Sequence, residues 1–200
     1  MERVSVYIDG FNLYFGICDL HARYKWLDVH KMSQAMLKGQ QVLIDVKYFT
    51  ARISGDPTKE SRQRRYLDAI DTTPVQVYYG HYLGKPAQCH RCHHTWIKNE
   101  EKMTDVNIAT QLLLDAYHDK YDRAVIVGGD SDLLPPIQAV QNTFGKRVFI
   151  AFPPRRNSST LRAQANGYFN VGKKLLGDNQ FPNIVTSVSG FELTRPGPWN

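Results

Sequence analysis

Short β-branched apolar runs alternate along this chain with segments of helical period, and that alternation predicts a sheet covered by helices on both faces. Residues 4–8 read as a buried strand ending at Asp9, with Gly10 turning the chain into a helix over 11–18. A second helix is expected over 30–37, stopped near Gly39, and a strand within 42–53. Gly55-Asp56-Pro57 is a turn that starts a helix over 59–70, and 75–83 alternates like a strand. The clearest helix covers 104–117, where Val106, Ala109, Leu112, Leu113 and Ala116 share one face. Thr104 is the expected N-cap, which puts Asp105 in the first turn, where the helix dipole favours a carboxylate. A strand over 123–127, a turn at Gly128-Gly129 and a helix over 131–144 follow, the helix tolerating Pro135 and Pro136 only near its start. Another strand (146–152), a loop (153–158) and a helix around 160–166 complete the pattern. The fold class is α/β with a mostly parallel sheet. One domain is expected over 1–176, with 177–200 as a turn-rich C-terminal extension.

Residues 84–100 break the periodicity and read as a small insertion. Cys89 and Cys92 have the two-residue spacing that lets paired thiolates chelate one Zn²⁺. This is half a site, and His94, His93 or the more distant His81 are the candidates to complete it. The alternatives are a reduced surface hairpin with spare histidines, or a redox pair lacking the thioredoxin-like context such chemistry uses.

Composition narrows the class. At 200 residues, 42% hydrophobic and 22% charged, the chain is long enough for a real core and is not disordered in composition. Lys and Arg outnumber Asp and Glu by 25 to 19, a net charge of +6, which suits a polyanionic partner without proving one. No run approaches the ~20 apolar residues of a membrane span. Strand-like residues begin at Arg3–Val4 with no signal-peptide pattern before them, and three cysteines do not make a disulfide framework. A cytoplasmic protein is the expectation, and it leaves the Asn157-Ser158-Ser159 sequon without meaning.

Four aspartates carry the candidate chemistry. Asp9 and the Asp130/Asp132 pair follow predicted buried strands, and Asp105 opens the best helix. In an open α/β sheet ligands bind at the strand ends, and carboxylates gathered there repel one another unless a cation sits among them. Mg²⁺ or Mn²⁺ would supply that charge and keep waters in its shell, one of which can attack a phosphodiester. Asn12, three residues beyond Asp9, is placed to bond the scissile phosphate or a metal-bound water, and Ser131 adds a hydroxyl. Taken singly, Asp105 reads equally well as a first-turn carboxylate and Asp130 as an N-cap.

The segments VYIDGFNLY, EEKMTDVNIATQLL and AVIVGGDSDLLPPI resemble the NYN domains, a branch of the PIN-like metal-dependent nucleases, and within them the LabA-like group. The resemblance runs from about Val4 to about Val171, with the three motifs in the family's order. It implies a Rossmann-like sheet and Mg²⁺- or Mn²⁺-dependent RNA hydrolysis, with Asp9, Asp105, Asp130 and Asp132 at the metal-binding positions and Asn12 beside them. It also implies a cysteine pair before the EK-x-x-D motif, and related proteins that are often homodimers. One position departs from the pattern: LRAQANGYF resembles a late motif in which an aspartate is expected, and this chain has Asn166, whose neutral amide is a poorer ligand.

Arg155 and Arg156, in the loop after a strand, are the expected phosphate contacts, with Ser158 and Ser159 as further donors. Tyr14, Phe15, Tyr78 and Tyr82 are candidates to stack unpaired bases. Lys59, Arg62, Arg64 and Arg65 share one helix and read as a solvated face. The leading expectation is an endoribonuclease with Mg²⁺ or Mn²⁺ as cofactor, acting on single-stranded RNA or RNA with unpaired regions. The alternative is a non-catalytic RNA- or protein-binding module on the same fold. A phosphatase or nucleotide enzyme is the weakest reading, because Asp9 is not part of a D-x-D nucleophile and neither a P-loop nor a G-x-G-x-x-G is present.

Overall fold

In the computed structural model, residues 1–199 are described, those at 97–101 by their backbone only. The first apolar run forms β1 (Glu2–Asp9), buried from Val4 to its end. Val4, Val6 and Ile8 enter one hydrophobic cluster while Tyr7 enters another on the opposite face. A strand covered on both sides can be apolar at nearly every position, which is why β1 shows no polar alternation.

α1 (Gly10–Cys18) follows directly, capped by the Asp9 carboxylate. α2 (Val29–Ala35) and α3 (Pro57–Ile70) are capped in the same way by Asp28 and Asp56, on either side of β2 (Gln41–Ala51). β3 (Val75–Gln88) and β4 (Thr95–Lys102) form a long hairpin leading to α4 (Thr104–Tyr117). β5 (Arg123–Val127), α5 (Leu134–Phe144), β6 (Arg147–Phe152), α6 (Ser159–Gln164) and β7 (Gly167–Asn170) continue the alternation. α7 (Lys173–Asp178) and a small hairpin, β8 (Ile184–Thr186) with β9 (Glu192–Thr194), end the chain.

The seven-stranded sheet has the order β4-β3-β2-β1-β5-β6-β7, parallel except where β4 runs against β3. From β1 the chain builds outward through β2 and β3, then crosses with α4 to place β5 on the other side of β1. The switch point of the winding therefore lies between β1 and β5, the place where such sheets bind ligands beyond their carboxyl ends.

Two expectations are corrected. Thr104 is not the N-cap of α4: it is the first helical residue and buried, and Met103, at φ 79°, precedes it without a side-chain cap. The helix expected over 131–144 is split into a 3₁₀ turn at Ser131–Leu133 and α5, because Pro135 and Pro136 have no N–H to give and fit only in the first turn of α5. Residues 84–100, read as a small insertion, lie in a hairpin: β3 runs on through 84–88 and pairs with β4 from His81↔Lys102 to Gln88↔Thr95. β3 touches β2 only over Val75–Gly80, so the rest of the hairpin stands clear of the sheet as a two-stranded arm. No helix among the described residues is long and apolar enough to cross a membrane.

α4 is pinned to the sheet by a buried polar cluster with no sequence signature. Lys47 of β2 pairs with Asp115 of α4, each side chain 1% exposed, and the Tyr7 hydroxyl donates to the same carboxylate at 2.7 Å. Burial alone would raise the Asp115 pKa, but the bonds from Lys47, Tyr7 and Lys120 outweigh it and hold the carboxyl below its usual value. On the other face, Trp26 packs against Tyr66, Phe181 and Trp199 with ring centroids 5.7–6.2 Å apart, and its indole N–H donates to the Pro182 carbonyl at 2.7 Å. This aromatic cluster seats the C-terminal segment against α2 and α3.

Candidate active site at the switch point

A cleft of about 550 Å³ opens above the carboxyl ends of β1 and β5, lined by Asp9, Asn12, Asp105, Asp130, Thr104, Arg156 and the rings of Phe11, Phe15 and Tyr82. Three of the four predicted aspartates thus meet from three different elements. Asp9 ends β1, Asp105 sits in the first turn of α4, and Asp130 follows the Gly128-Gly129 turn after β5. Glycine is required at two points around them. A Cβ at Gly10 would lie 2.6 Å from the Phe49 carbonyl oxygen, and one at Gly129 would lie 2.8 Å from that of Arg156.

Asp9 is the organising residue. Its side chain is almost fully buried, and one oxygen accepts the backbone N–H groups of Phe11 (3.0 Å) and Asn12 (2.9 Å). The other accepts the Asn12 amide at 2.6 Å. Asn12 in turn accepts the Gly129 N–H at 3.2 Å, so a single carboxamide ties the end of β1 to the turn after β5. Burial pushes the Asp9 pKa up, the bonds from Asn12 and Phe11 oppose this, and the nearby charge of Asp130 raises it further.

Asp132 does not join the cleft lining; it is exposed, and its backbone N–H donates to Asp130 Oδ1 at 3.0 Å. Asp130 therefore is the N-cap of the 3₁₀ turn and also faces the cleft. Ser131 is exposed in that turn. Among the described residues, no three His, Cys, Asp or Glu side chains stand close enough to form a ready-made metal cage, the aspartates of the cleft included.

Of the basic pair, only Arg156 lines the cleft. It is held by Asp19 at 3.0 Å, while its Nε is buried and has no hydrogen-bond partner among the described residues. Arg155 takes φ 57° in the loop, a left-handed conformation that swings the chain between the two arginines. The Ser158 hydroxyl accepts the Leu161 N–H at 3.2 Å as the cap of α6, and Ser159 is the first residue of that helix. Of the aromatic candidates, Phe15 and Tyr82 face the cleft, Tyr14 packs edge-on against Phe15, and Tyr78 is stacked on Phe49 as core. Phe11, which sequence reasoning missed, meets Tyr82 edge-to-face across the lining at 6.0 Å.

Asn166 lies away from this site. Its oxygen accepts the Val148 N–H at 2.7 Å and the Gln141 amide at 2.9 Å, beside the start of β6, whereas the cleft lies beyond the strands' carboxyl ends. The departure from the family pattern is thus a structural tie at the far end of the sheet.

At the tip of the arm, Cys89 and Cys92 are both free thiols. The turn between them is closed by Cys89 N–H to the His94 carbonyl and His93 N–H to the Cys89 carbonyl, each 2.9 Å, with His93 at φ 55°. Backbone N–H groups of Cys92 and Arg91 point at the Cys89 sulfur and hold its thiol below the usual range. The expected third ligand is not gathered in: the His94 ring stacks on Trp96 at 6.2 Å, and His81 lies seven residues before Gln88 on β3, about 23 Å down an extended strand.

An open α/β sheet with an acidic cleft at its switch point is the arrangement of a PIN-like nuclease domain. A model of the NYN domain family matches residues 3–172, and the chain belongs to that family. Among curated proteins it is 27% identical over 188 residues to a 6-hydroxy-3-succinoylpyridine 3-monooxygenase, HspA, of Pseudomonas putida, with 76% of this chain aligned. The chain spans 59% of that relative's length. Among solved structures, a protein of unknown function from Vibrio parahaemolyticus superposes with a TM-score of 0.58 at 21% identity, covering 86% of this chain and 94% of the other. That likeness is one of fold.

Proposed function

We propose that the chain is a Mg²⁺- or Mn²⁺-dependent endoribonuclease acting on RNA with unpaired regions. The observation that carries this is the meeting of Asp9, Asp105 and Asp130, from three separate elements, in one cleft at the switch point of an NYN domain. The residues fit a hard cation. Asp9 is buried with its pKa raised, Asp130 repels it, and the lining's arginine is already engaged by Asp19. Mg²⁺ takes only one or two protein carboxylates directly and keeps its waters, so a cleft without a closed three-donor cage suits it better than it would suit Zn²⁺.

Asp9, Asp130 and Asp105 are the residues that would hold the ion. When bound, it supplies an activated water and neutralises charge on the phosphorus centre. The chain's own contributions follow from its geometry. Asn12 fixes Asp9 against the Gly129 turn, keeping the two strand ends in register. The Arg156 guanidinium, anchored on Asp19, lines the cleft where a phosphate would sit. Phe15 and Tyr82 offer ring faces to a base that has left its stack, which favours unpaired RNA.

The test is cleavage of a pool of single-stranded and structured RNA with Mn²⁺, Mg²⁺ or EDTA, run beside Asp9→Asn and Asp130→Asn. Cutting in metal that is lost in EDTA and falls at least a hundredfold in both variants supports the reading. RNA binding without cutting, at equal affinity in all three proteins, overturns it in favour of a binding module.

A further inference from the structure

Beyond Tyr82 at its base, the arm formed by β3 and β4 is a large feature that the proposed nuclease leaves unused. Its strands pair over eight residue couples, from His81↔Lys102 to Gln88↔Thr95, outside the stretch of β3 that β2 supports. Residues 83–88 of β3 are mostly exposed, and so are Leu83 and Trp96. A two-stranded hairpin in water is marginally stable by itself, so an arm of this length calls for something to fasten it. None of the free cysteines is in a disulfide, and its tip carries two of them.

The tip turn has the form of one half of a tetrathiolate site. Cys-x-x-Cys spacing places two sulfurs on the same side of a tight turn. Two backbone N–H groups, those of Arg91 and Cys92, are aimed at the Cys89 sulfur, and hydrogen bonds of that kind stabilise a thiolate ligand. The left-handed His93 reverses the chain immediately after the second cysteine. No third His, Cys, Asp or Glu joins the pair among the described residues. A tetrahedral zinc site needs four donors, so two must come from elsewhere.

We propose that the hairpin tips of two copies of this chain share one structural Zn²⁺, held by Cys89 and Cys92 of each. The second copy is the occupant the geometry favours, because a two-fold axis through the metal presents the same pair twice and completes four ligands without any other residue. The arm carries the tip clear of the sheet, so two tips can meet with the bodies apart. The chemistry balances: four thiols lose four protons as four Zn–S bonds form, with no change of oxidation state, leaving a site of charge −2. Arg91, exposed between the cysteines, is present twice at such a junction and offsets that charge.

The experiment is to load the reduced full chain with ZnCl₂, remove the excess, and measure zinc per chain together with molar mass by light scattering. The expected result is half a zinc per chain and a dimer that falls to monomer when a strong chelator strips the metal. Cys92→Ser should lose at least 90% of the zinc and be monomeric, its far-UV circular dichroism showing that the sheet is intact. If that variant fails to fold, the chelation arm on the unaltered chain decides the matter. With Co²⁺ in place of zinc, the thiolate charge-transfer band should saturate at half an equivalent. One zinc per monomeric chain, a dimer indifferent to chelation, or a Cys89–Cys92 disulfide with no metal uptake would each overturn the proposal.

Discussion

Replacing Asn12 with alanine tests the centre of the site. The substitution removes the 2.6 Å bond from the Asn12 amide to Asp9 and the 3.2 Å bond from Gly129 N–H to the Asn12 oxygen. A hydrogen bond to a charged group contributes about 1.5–3 kcal/mol and a neutral one about 0.5–1.5. Asp9 keeps its two backbone donors, and Asn12 is only half-buried, so water recovers part of the loss. The expected destabilisation is therefore about 2 kcal/mol at pH 8, read by urea denaturation with circular dichroism in EDTA. The sign with pH follows from Asp9. Its folded pKa is raised, so at neutral pH its ionised form costs stability, and protonation relieves that cost as the pH falls through the folded value towards the unfolded one near 4. Losing the amide raises that pKa further, so the penalty of Asn12→Ala should shrink between pH 8 and pH 5. In a double-mutant cycle with Asp9→Ala, the coupling at pH 8 should be about 1.5–3 kcal/mol. A coupling below about 0.5 kcal/mol, or a penalty equal at both pH values, would refute the view that Asn12 acts by holding an ionised Asp9.

Further outcomes follow from the same geometry. Mn²⁺ at a hundredfold above its dissociation constant should raise the melting temperature by about 5–10 °C at pH 8, with a smaller rise at pH 5, where protons compete for Asp9. An equal rise in Asp9→Asn would place the ion elsewhere. Lys47→Met leaves Asp115 buried and only partly paired by Lys120, a loss of about 3–5 kcal/mol, whereas Lys47→Met with Asp115→Leu should recover most of it in the same denaturation assay. Gly10→Ala forces a methyl to within 2.6 Å of the Phe49 carbonyl oxygen and 2.8 Å of the Tyr48 ring, so it should cost about 1–3 kcal/mol and disturb cleavage through Asp9. A variant as stable and active as the parent would show that the strand end yields more readily than its packing implies.

Much of this arrangement was legible because it is written in local patterns. β-branched runs ending at Asp9 and at Gly128-Gly129 gave the strands that flank the switch point, and the 3–4 spacing from Val106 to Ala116 gave α4. The strand-end aspartates follow from the same logic, since buried strands ending in carboxylates point to one edge of the sheet. What was not legible depends on distant contacts. Lys47 sits in VLIDVKYF looking like an outward polar residue, and only the approach of Asp115, 68 positions later, makes it a core residue. Asp132 shares Asp130's motif, but a two-residue step through a 3₁₀ turn sends it to solvent. Thr104, expected as a cap, is not one, while Ser158, expected as a phosphate donor, caps α6, because cap positions depend on where the backbone enters the helix. The strand pairing of the arm was not legible because the exposed, Gly- and Pro-containing end of β3 shows little apolar periodicity.

The three tryptophans divide the molecule into two optical reporters. Trp26 and Trp199 lie 6.2 Å apart in a buried cluster, while Trp96 is 45% exposed on the arm. An aqueous collisional quencher reaches the second population and is largely denied the first. Quenchable emission therefore follows events at the hairpin, and protected emission follows the seating of the C-terminal segment. Opening of the arm and loss of the tail can be timed separately in the unlabelled chain.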